Sequence, residues 1–145
     1  MVLIRLFLCS AALIVLAGCQ TVSIKASKNL GGYQWTLIQL DGQAIQSSEV
    51  GETPHLIFLE SEQRVAGSTG CNRLMGGYSL DASGNLVLGP LATTMMACPN
   101  MATEDAFLEA LRSFKSSEFR DGVLYLLDGS GETLAVFESS PLPDS

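Results

Sequence analysis

Residues 67–78 form the densest motif of the chain and read Gly67-Ser68-Thr69-Gly70-Cys71-Asn72-Arg73-Leu74-Met75-Gly76-Gly77-Tyr78. The glycines at positions 70, 76 and 77 permit positive φ angles and close backbone approach, which β-bulges and barrel corners require. Asn72 is suited to bonding its neighbouring backbone in a turn. The motif therefore predicts a strongly bent sheet in which these residues have structural roles.

Short predicted strands surround the motif on both sides. Upstream, residues 33–40 alternate, with Trp35 and Leu37 on one face, and they end at Asp41-Gly42, a strong hairpin signal. Residues 56–59 and 64–69 predict two more strands. Downstream, the remaining strands are predicted in pairs that flank loops rich in turn formers, at 78–80 with 86–88 and at 123–127 with 133–137.

One segment, residues 99–115, has the periodicity of a helix. Its apolar residues recur near a 3.6-residue period at Met101, Leu108, Leu111 and Phe114. Glu104 and Asp105 lie in the first turn, where a role in the helix dipole and in solvation explains them. The predicted fold class is α+β, a small β-rich domain with a curved antiparallel sheet or partly open barrel packed with one amphipathic helix.

The motif and three further stretches resemble the META domain, the HslJ-like family of small bacterial envelope proteins. The further stretches are Tyr33-Gln34-Trp35-Thr36-Leu37, Leu88-Gly89-Pro90-Leu91-Ala92-Thr93-Thr94-Met95-Met96-Ala97-Cys98-Pro99 and Glu104-Asp105-Ala106-Phe107-Leu108-Glu109-Ala110-Leu111. The resemblance covers about residues 30–138. It implies a barrel-like α+β domain, an association with heat shock, envelope stress and drug tolerance, and no established enzymatic activity. The motif residues, to which we assign structural roles, are Trp35, Gly70, Cys71, Asn72, Gly76, Met96 and Cys98.

The N-terminal end carries the features of a bacterial lipoprotein signal. Arg5 precedes an apolar run from Leu6 to Val15, and Leu16-Ala17-Gly18-Cys19 reads as a lipobox. The run is shorter than the roughly 20 apolar residues that a membrane span needs. We therefore predict lipidation of Cys19 and attachment to a membrane through acyl chains. The alternatives are an ordinary cleaved signal peptide, or a cytosolic or membrane-spanning chain.

Four segments follow from this organisation. We predict a lipoprotein signal peptide at residues 1–18, a flexible tether at 19–30, a META domain at 31–138 and a flexible tail at 139–145. Gln20 rather than Asp follows the lipobox cysteine, which in enteric bacteria points to sorting to the outer membrane. The expected location is the cell envelope, lipid-anchored in the outer membrane and facing the periplasm.

The four cysteines divide between processing and the domain. Cys9 leaves with the signal peptide and Cys19 takes the lipid, so Cys71 and Cys98 remain as one pair in an oxidising compartment. A disulfide between them is the default expectation, and it would stabilise the fold by roughly 3.5 kcal/mol through loop closure. Two buried free thiols are the alternative.

The sequence offers little for catalysis or cofactors. His55 is the one histidine and lies at the edge of an apolar strand, without a motif that would make it a base. The spacing of Cys71 and Cys98 differs from the C-x-x-C of redox enzymes. One histidine and two separated cysteines are also too few ligands for a zinc site. Thioethers at Met75, Met95, Met96 and Met101 suit Cu(I), but such residues usually fill cores. We expect no enzyme activity, cofactor or metal.

Charge narrows the choice of partners. The chain has 15 acidic and 8 basic residues, and loss of Arg5 with the signal changes the net charge from −7 to −8. Without a basic stripe, nucleic acid is excluded as an expected partner. We expect a monomeric, non-catalytic envelope lipoprotein that acts by binding, with an envelope protein as a possible partner. The alternatives are an acidic inhibitor or assembly factor for a basic protein, such as lysozyme or a secretion pore, and copper or redox handling.

Overall fold

A computed structural model describes residues 29–46, 51–99 and 101–143 of the chain. Within these ranges the strands are β1 (Tyr33–Leu40), β2 (Gln43–Ala44), β3 (His55–Leu59), β4 (Arg64–Ser68), β5 (Arg73–Leu80), β6 (Leu86–Thr93), β7 (Ser116–Arg120), β8 (Val123–Leu127) and β9 (Thr133–Pro141). A short 3-10 turn (Glu60–Glu62) joins β3 to β4, and one α-helix, α1 (Ala102–Ser113), lies between β6 and β7.

All the strands belong to one antiparallel sheet in the order β6-β5-β4-β3-β1-β9-β8-β7, with β2 added beside β1. The sheet curls into a half-barrel, and its two end strands meet at one corner, where the Leu86 amide donates to Ser117 Oγ at 2.8 Å. The α+β fold class predicted from the sequence, a curved sheet with one helix, is therefore confirmed.

The core lies between the concave face of the sheet and α1. Alternation along the strands turns Trp35, Leu37 and Phe58 inward, and the apolar face of α1 adds Phe107 and Leu111. Trp35 is fully buried, and its Nε1 donates to the Leu30 carbonyl at 2.9 Å. The helix is shorter than predicted, because it begins at Ala102 and Phe114 already has an extended backbone.

The predicted hairpins and bulge are present. Asp41 and Gly42 both have positive φ, as a tight two-residue hairpin requires, and β2 pairs back onto β1. In β5, Gly77 faces the pair Gly89 and Pro90 of β6, which shifts the register by one residue. β5 begins five residues earlier than the strand predicted at 78–80, because the backbone of Arg73–Gly77 pairs with β4 despite its glycines.

Two predicted boundaries need correction. The tether was placed at 19–30, but Leu30 is 2% exposed and packs in the core beside Trp35. The flexible tail was placed from residue 139, but β9 extends to Pro141 and pairs Ser139 with Trp35. Backbone pairing needs no apolar side chains, so the polar composition of 139–141 concealed a strand. Residues 1–28, which include the predicted signal peptide and Cys19, lie outside the described residues, as do 144 and 145.

Candidate functional site

The turn between β4 and β5 presents the motif residues in a fixed arrangement. Thr69 anchors the turn, since its amide and hydroxyl both donate to the Asn72 carbonyl, at 2.8 and 3.0 Å. The main-chain N–H of Asn72 donates back to Thr69 Oγ1 at 3.0 Å. Gly70 has a φ of 104°, a left-handed conformation that a side chain would strain. The turn therefore holds the side chain of Asn72 in the interior.

The side chain of Asn72 crosses to the segment that follows β6. Its Oδ1 accepts from the Met96 amide and from Thr94 Oγ1, both at 2.7 Å. Its Nδ2 donates to the Met96 carbonyl at 3.2 Å and to the two carboxylate oxygens of Glu104 at 2.9 and 3.1 Å. We expected Asn72 to bond its neighbouring backbone in a turn, and its main-chain N–H and C=O do bond Thr69. Its side chain joins three separate parts of the fold.

Glu104 lies inside the domain and is only 5% exposed. The expected solvated role applies to Asp105, which is exposed, but is wrong for Glu104. The sequence did carry a signal, because Glu104 is three and four residues before Phe107 and Leu108 and so shares their buried helix face. Its position in the first turn of α1 also places a carboxylate at the positive end of the helix dipole.

The disulfide expected between Cys71 and Cys98 is confirmed, with a Cα–Cα distance of 6.1 Å. It ties the β4–β5 turn to the residues just before α1. Thr94 adds another link, because its Oγ1 accepts from the Arg73 amide at 3.0 Å. We call these residues, Cys71, Asn72, Thr94, Cys98 and Glu104, the brace. The brace fixes residues 94–98 at both ends.

The braced segment carries two exposed thioethers. Met95 is 97% and Met96 is 55% exposed, beside a shallow depression of about 310 Å³ lined in part by Asn72 and Glu104. Among the described residues, no three His, Cys, Asp or Glu side chains gather as a metal site would require. Sulfur in the disulfide is no longer available as thiolate, which weakens the copper alternative further.

The other residues singled out in the sequence lie apart from the brace. Trp35 lies in the core, where its ring meets Phe119 edge-on with centroids 5.5 Å apart. At Gly76, a Cβ would come within 2.9 Å of the Pro90 carbonyl, so this glycine allows close approach of β5 and β6. His55 lies on β3 with its Nδ1 3.0 Å from the Thr53 carbonyl.

The META domain profile matches residues 28–141, which include all of β1 to β9 and the brace. The chain belongs to the META domain family. Its META domain begins near Lys28 and ends at the last residue of β9, in agreement with the corrected boundaries.

Solved structures share this fold. A protein from Burkholderia xenovorans, solved by NMR, is 31% identical with a TM-score of 0.61, over 79% of this chain and 86% of that one. A second NMR structure is 25% identical with a TM-score of 0.58, over 74% of this chain and 90% of that one. A DUF4847 family protein from Bacteroides vulgatus is 14% identical and shows the fold alone, with a TM-score of 0.58 over 81% and 99% of the two chains.

A comparison with curated proteins finds no match. Among the described residues, no helix of this META protein has the length and apolar character needed to cross a membrane.

Proposed function

We propose that this META protein is a monomeric, non-catalytic lipoprotein of the cell envelope, which acts in heat-shock or envelope stress, or in drug tolerance, by binding another envelope component. The observation that carries the proposal is the brace. Its polar side chains are used to hold one exposed segment in place, and that segment presents Met95 and Met96 to solvent.

A fixed, exposed thioether pair suits recognition of a partner. Methionine side chains are flexible and polarisable, so they adapt to irregular apolar surfaces. The backbone that carries them is held by the Asn72 amide group and by the disulfide, so little backbone order is lost on binding. The braced segment therefore favours contact with an apolar surface over chemistry on a substrate.

The proposed anchor at Cys19 would keep this surface near a membrane. Nine residues lie between Cys19 and Asn29, the first residue of the described domain, and the ten residue-to-residue steps reach at most about 35 Å. Two acyl chains give stable attachment, whereas one gives only marginal binding. The domain would thus encounter components within a short distance of the anchoring membrane.

The test is crosslinking in intact cells, followed by identification of what the protein captures. We expect one partner in near-equal amount, lost in the unanchored Cys19→Ser variant and weakened when Met95 and Met96 are both changed to Ser. Met75→Ser is the matched control, since Met75 is also exposed but lies on β5 outside the brace. Capture that is insensitive to the double change, or a turnover that depends on a named residue, would contradict the proposal.

A second candidate is an inhibitor of a basic envelope hydrolase. It is favoured by the excess of acidic residues, 15 against 8, in a chain whose described ion pairs include one acidic residue, Glu118, with Arg120. Electrostatic steering would then speed association at low salt. Lysozyme is the probe: we expect salt-sensitive binding and inhibition, and the absence of binding at low ionic strength would rule this candidate out.

A further inference from the structure

β6 is an end strand of the sheet, and part of its backbone faces outward. The Leu86 amide points away from β5, because it donates to Ser117 Oγ, whereas the Thr94 amide points toward β5 and donates to the Arg73 carbonyl. Backbone groups of successive strand residues point to alternate sides. Two residues after Leu86, the amide and carbonyl groups of Leu88 therefore also face away from β5. Three residues before Thr94, on the other side of the bulge, those of Leu91 face away from β5 as well.

These outward groups have no partner within the described residues. Among the described residues, neither Leu88 nor Leu91 makes a hydrogen bond beyond the strand ladder, in contrast to Leu86, whose amide donates to Ser117. An edge with free backbone groups is a template on which an extended peptide can add as a further strand.

The helix makes this edge one wall of a cleft. Leu88, Gly89, Pro90 and Leu91 of β6 line an opening of about 480 Å³, whose other wall is made by Leu111 and Arg112 of α1. Leu88 and Leu91 are half-buried, so each offers apolar surface next to its free backbone groups. This cleft suits an extended peptide, which would pair with the edge of β6 and point every second side chain at the apolar surface between the strand and the helix.

Arg112 gives the cleft its charge preference. It is the one charged side chain that lines the cleft, it is exposed, and no hydrogen bond or ion pair occupies its guanidinium among the described residues. A free guanidinium at the edge of an apolar cleft selects a carboxylate, which it can bind through two parallel hydrogen bonds.

The edge is shaped for a short occupant. Pro90 has no amide to donate, and the bulge at Gly89 and Pro90 breaks the regular ladder in the middle of β6. Such features prevent pairing along the whole edge, as a second copy of this chain would require. The edge therefore offers free backbone groups at two positions, Leu88 and Leu91, about three residues apart. The end of a chain can pair with both, because it continues beyond the site on one side only.

We propose that the cleft between β6 and α1 binds the carboxyl-terminal segment of a partner protein by strand addition, with Arg112 receiving the terminal carboxylate. Leu88 and Leu91 supply the backbone hydrogen bonds and the apolar contact. This site is separate from the braced segment around Met95 and Met96, and it stands whether or not that segment binds.

The test uses the detergent-solubilised full chain and a displayed library of random heptapeptides with free carboxyl termini. We expect enrichment of peptides with apolar residues at alternate positions. The enriched peptides are then synthesised as carboxylates and as amides, and their binding is followed by fluorescence anisotropy. The amide should bind about tenfold more weakly, as expected for loss of one charge-assisted hydrogen bond.

Variants of both molecules locate the site. Arg112→Gln should weaken binding of the carboxylate about tenfold and leave the amide unchanged, while Lys115→Gln, an exposed cation just beyond α1, should leave both unchanged. N-methylation of alternate peptide amides should abolish binding in one register only, because only one set faces β6.

Three results would overturn the proposal. The first is a library with no enrichment on the folded chain. The second is enrichment of peptides that bind equally well as amides or that ignore Arg112→Gln, since their site would lie elsewhere or take internal segments. The third is a concentration-dependent dimer in sedimentation that Arg112→Gln dissociates, which would make a second copy the occupant of the cleft.

Discussion

Replacing Asn72 with alanine should destabilise the domain more than any other single change in the brace that leaves the disulfide intact. The change removes the two hydrogen bonds that Oδ1 accepts at 2.7 Å, the donation from Nδ2 to the Met96 carbonyl at 3.2 Å and the donation from Nδ2 to Glu104 at 2.9 Å. It also leaves the carboxylate of Glu104 buried without the amide that solvates it.

The magnitude follows from the kinds of bond that are lost. The two short neutral hydrogen bonds contribute about 1 kcal/mol each, the longer one to the Met96 carbonyl about 0.5 kcal/mol, and the one to the charged carboxylate about 1.5–3 kcal/mol. The depression beside Asn72 and Glu104 admits water after truncation, which offsets part of the loss. We therefore expect a decrease of about 3 kcal/mol in the free energy of unfolding, a large part of the stability of a small domain.

Urea unfolding of the oxidised protein, followed by the fluorescence of buried Trp35, measures this decrease. With a slope of about 1.5 kcal/mol per M, the midpoint should fall by about 2 M. Glu104→Ala should couple to Asn72→Ala by about 1.5 kcal/mol in a double-mutant cycle. Asp105→Ala is the matched control, since it removes an exposed carboxylate from the same helical turn.

Two results would refute this reasoning. If Glu104→Ala lowers the free energy of unfolding no more than Asp105→Ala does, the buried carboxylate stabilises the fold only through its interaction with the helix dipole. If the effects of Asn72→Ala and Glu104→Ala add without coupling, the bond between them does not stabilise the native state.

Three further predictions concern other parts of the domain. Removing the disulfide by changing Cys71 and Cys98 to Ser should lower the free energy of unfolding by about 3.5 kcal/mol, and unchanged urea curves with and without reductant would contradict it. Gly76→Ala should cost about 1–3 kcal/mol, because its Cβ would lie 2.7 Å from a β6 side chain. Gly77→Ala, with 3.9 Å to its nearest neighbour, should cost less in the same assay. The hydrogen bonds that the Asp128 carboxylate accepts lower its pKa below 3.8, so its stabilisation of the β8–β9 loop should be lost only as pH falls below that value, as NMR titration of its side chain would show.

The brace gives the family motif a physical meaning. A disulfide alone restricts the distance between two chain segments, but it does not fix the orientation of the backbone between them. Asn72 supplies that orientation, since its amide group bonds both the N–H and the C=O of Met96. The side-chain amide thus makes the pair of hydrogen bonds that the backbone of a neighbouring strand would make, at a point where β6 has already ended.

Most of the strands could be predicted from the sequence because their signals are local. Alternation at Trp35 and Leu37 reports a strand with one buried face, and Asp41-Gly42 reports a tight hairpin through backbone preferences of those two residues alone. The amphipathic period of residues 99–115 likewise identifies the helix, which the structure bounds at Ala102 and Ser113. In each case the physical cause lies within a few residues of the pattern.

The sequence by itself determined most of the strands, the helix, the α+β class and the resemblance to the META domain, but it did not predict β7 (Ser116–Arg120) or the first five residues of β5. Only the tertiary structure decided that Ser139 and Ser140 extend β9, that Leu30 belongs to the core, and that Glu104 faces Asn72 instead of water. These outcomes depend on which distant segment folds beside each residue. The bond between Asn72 and Glu104 joins residues 32 positions apart, and no local propensity records such a partner.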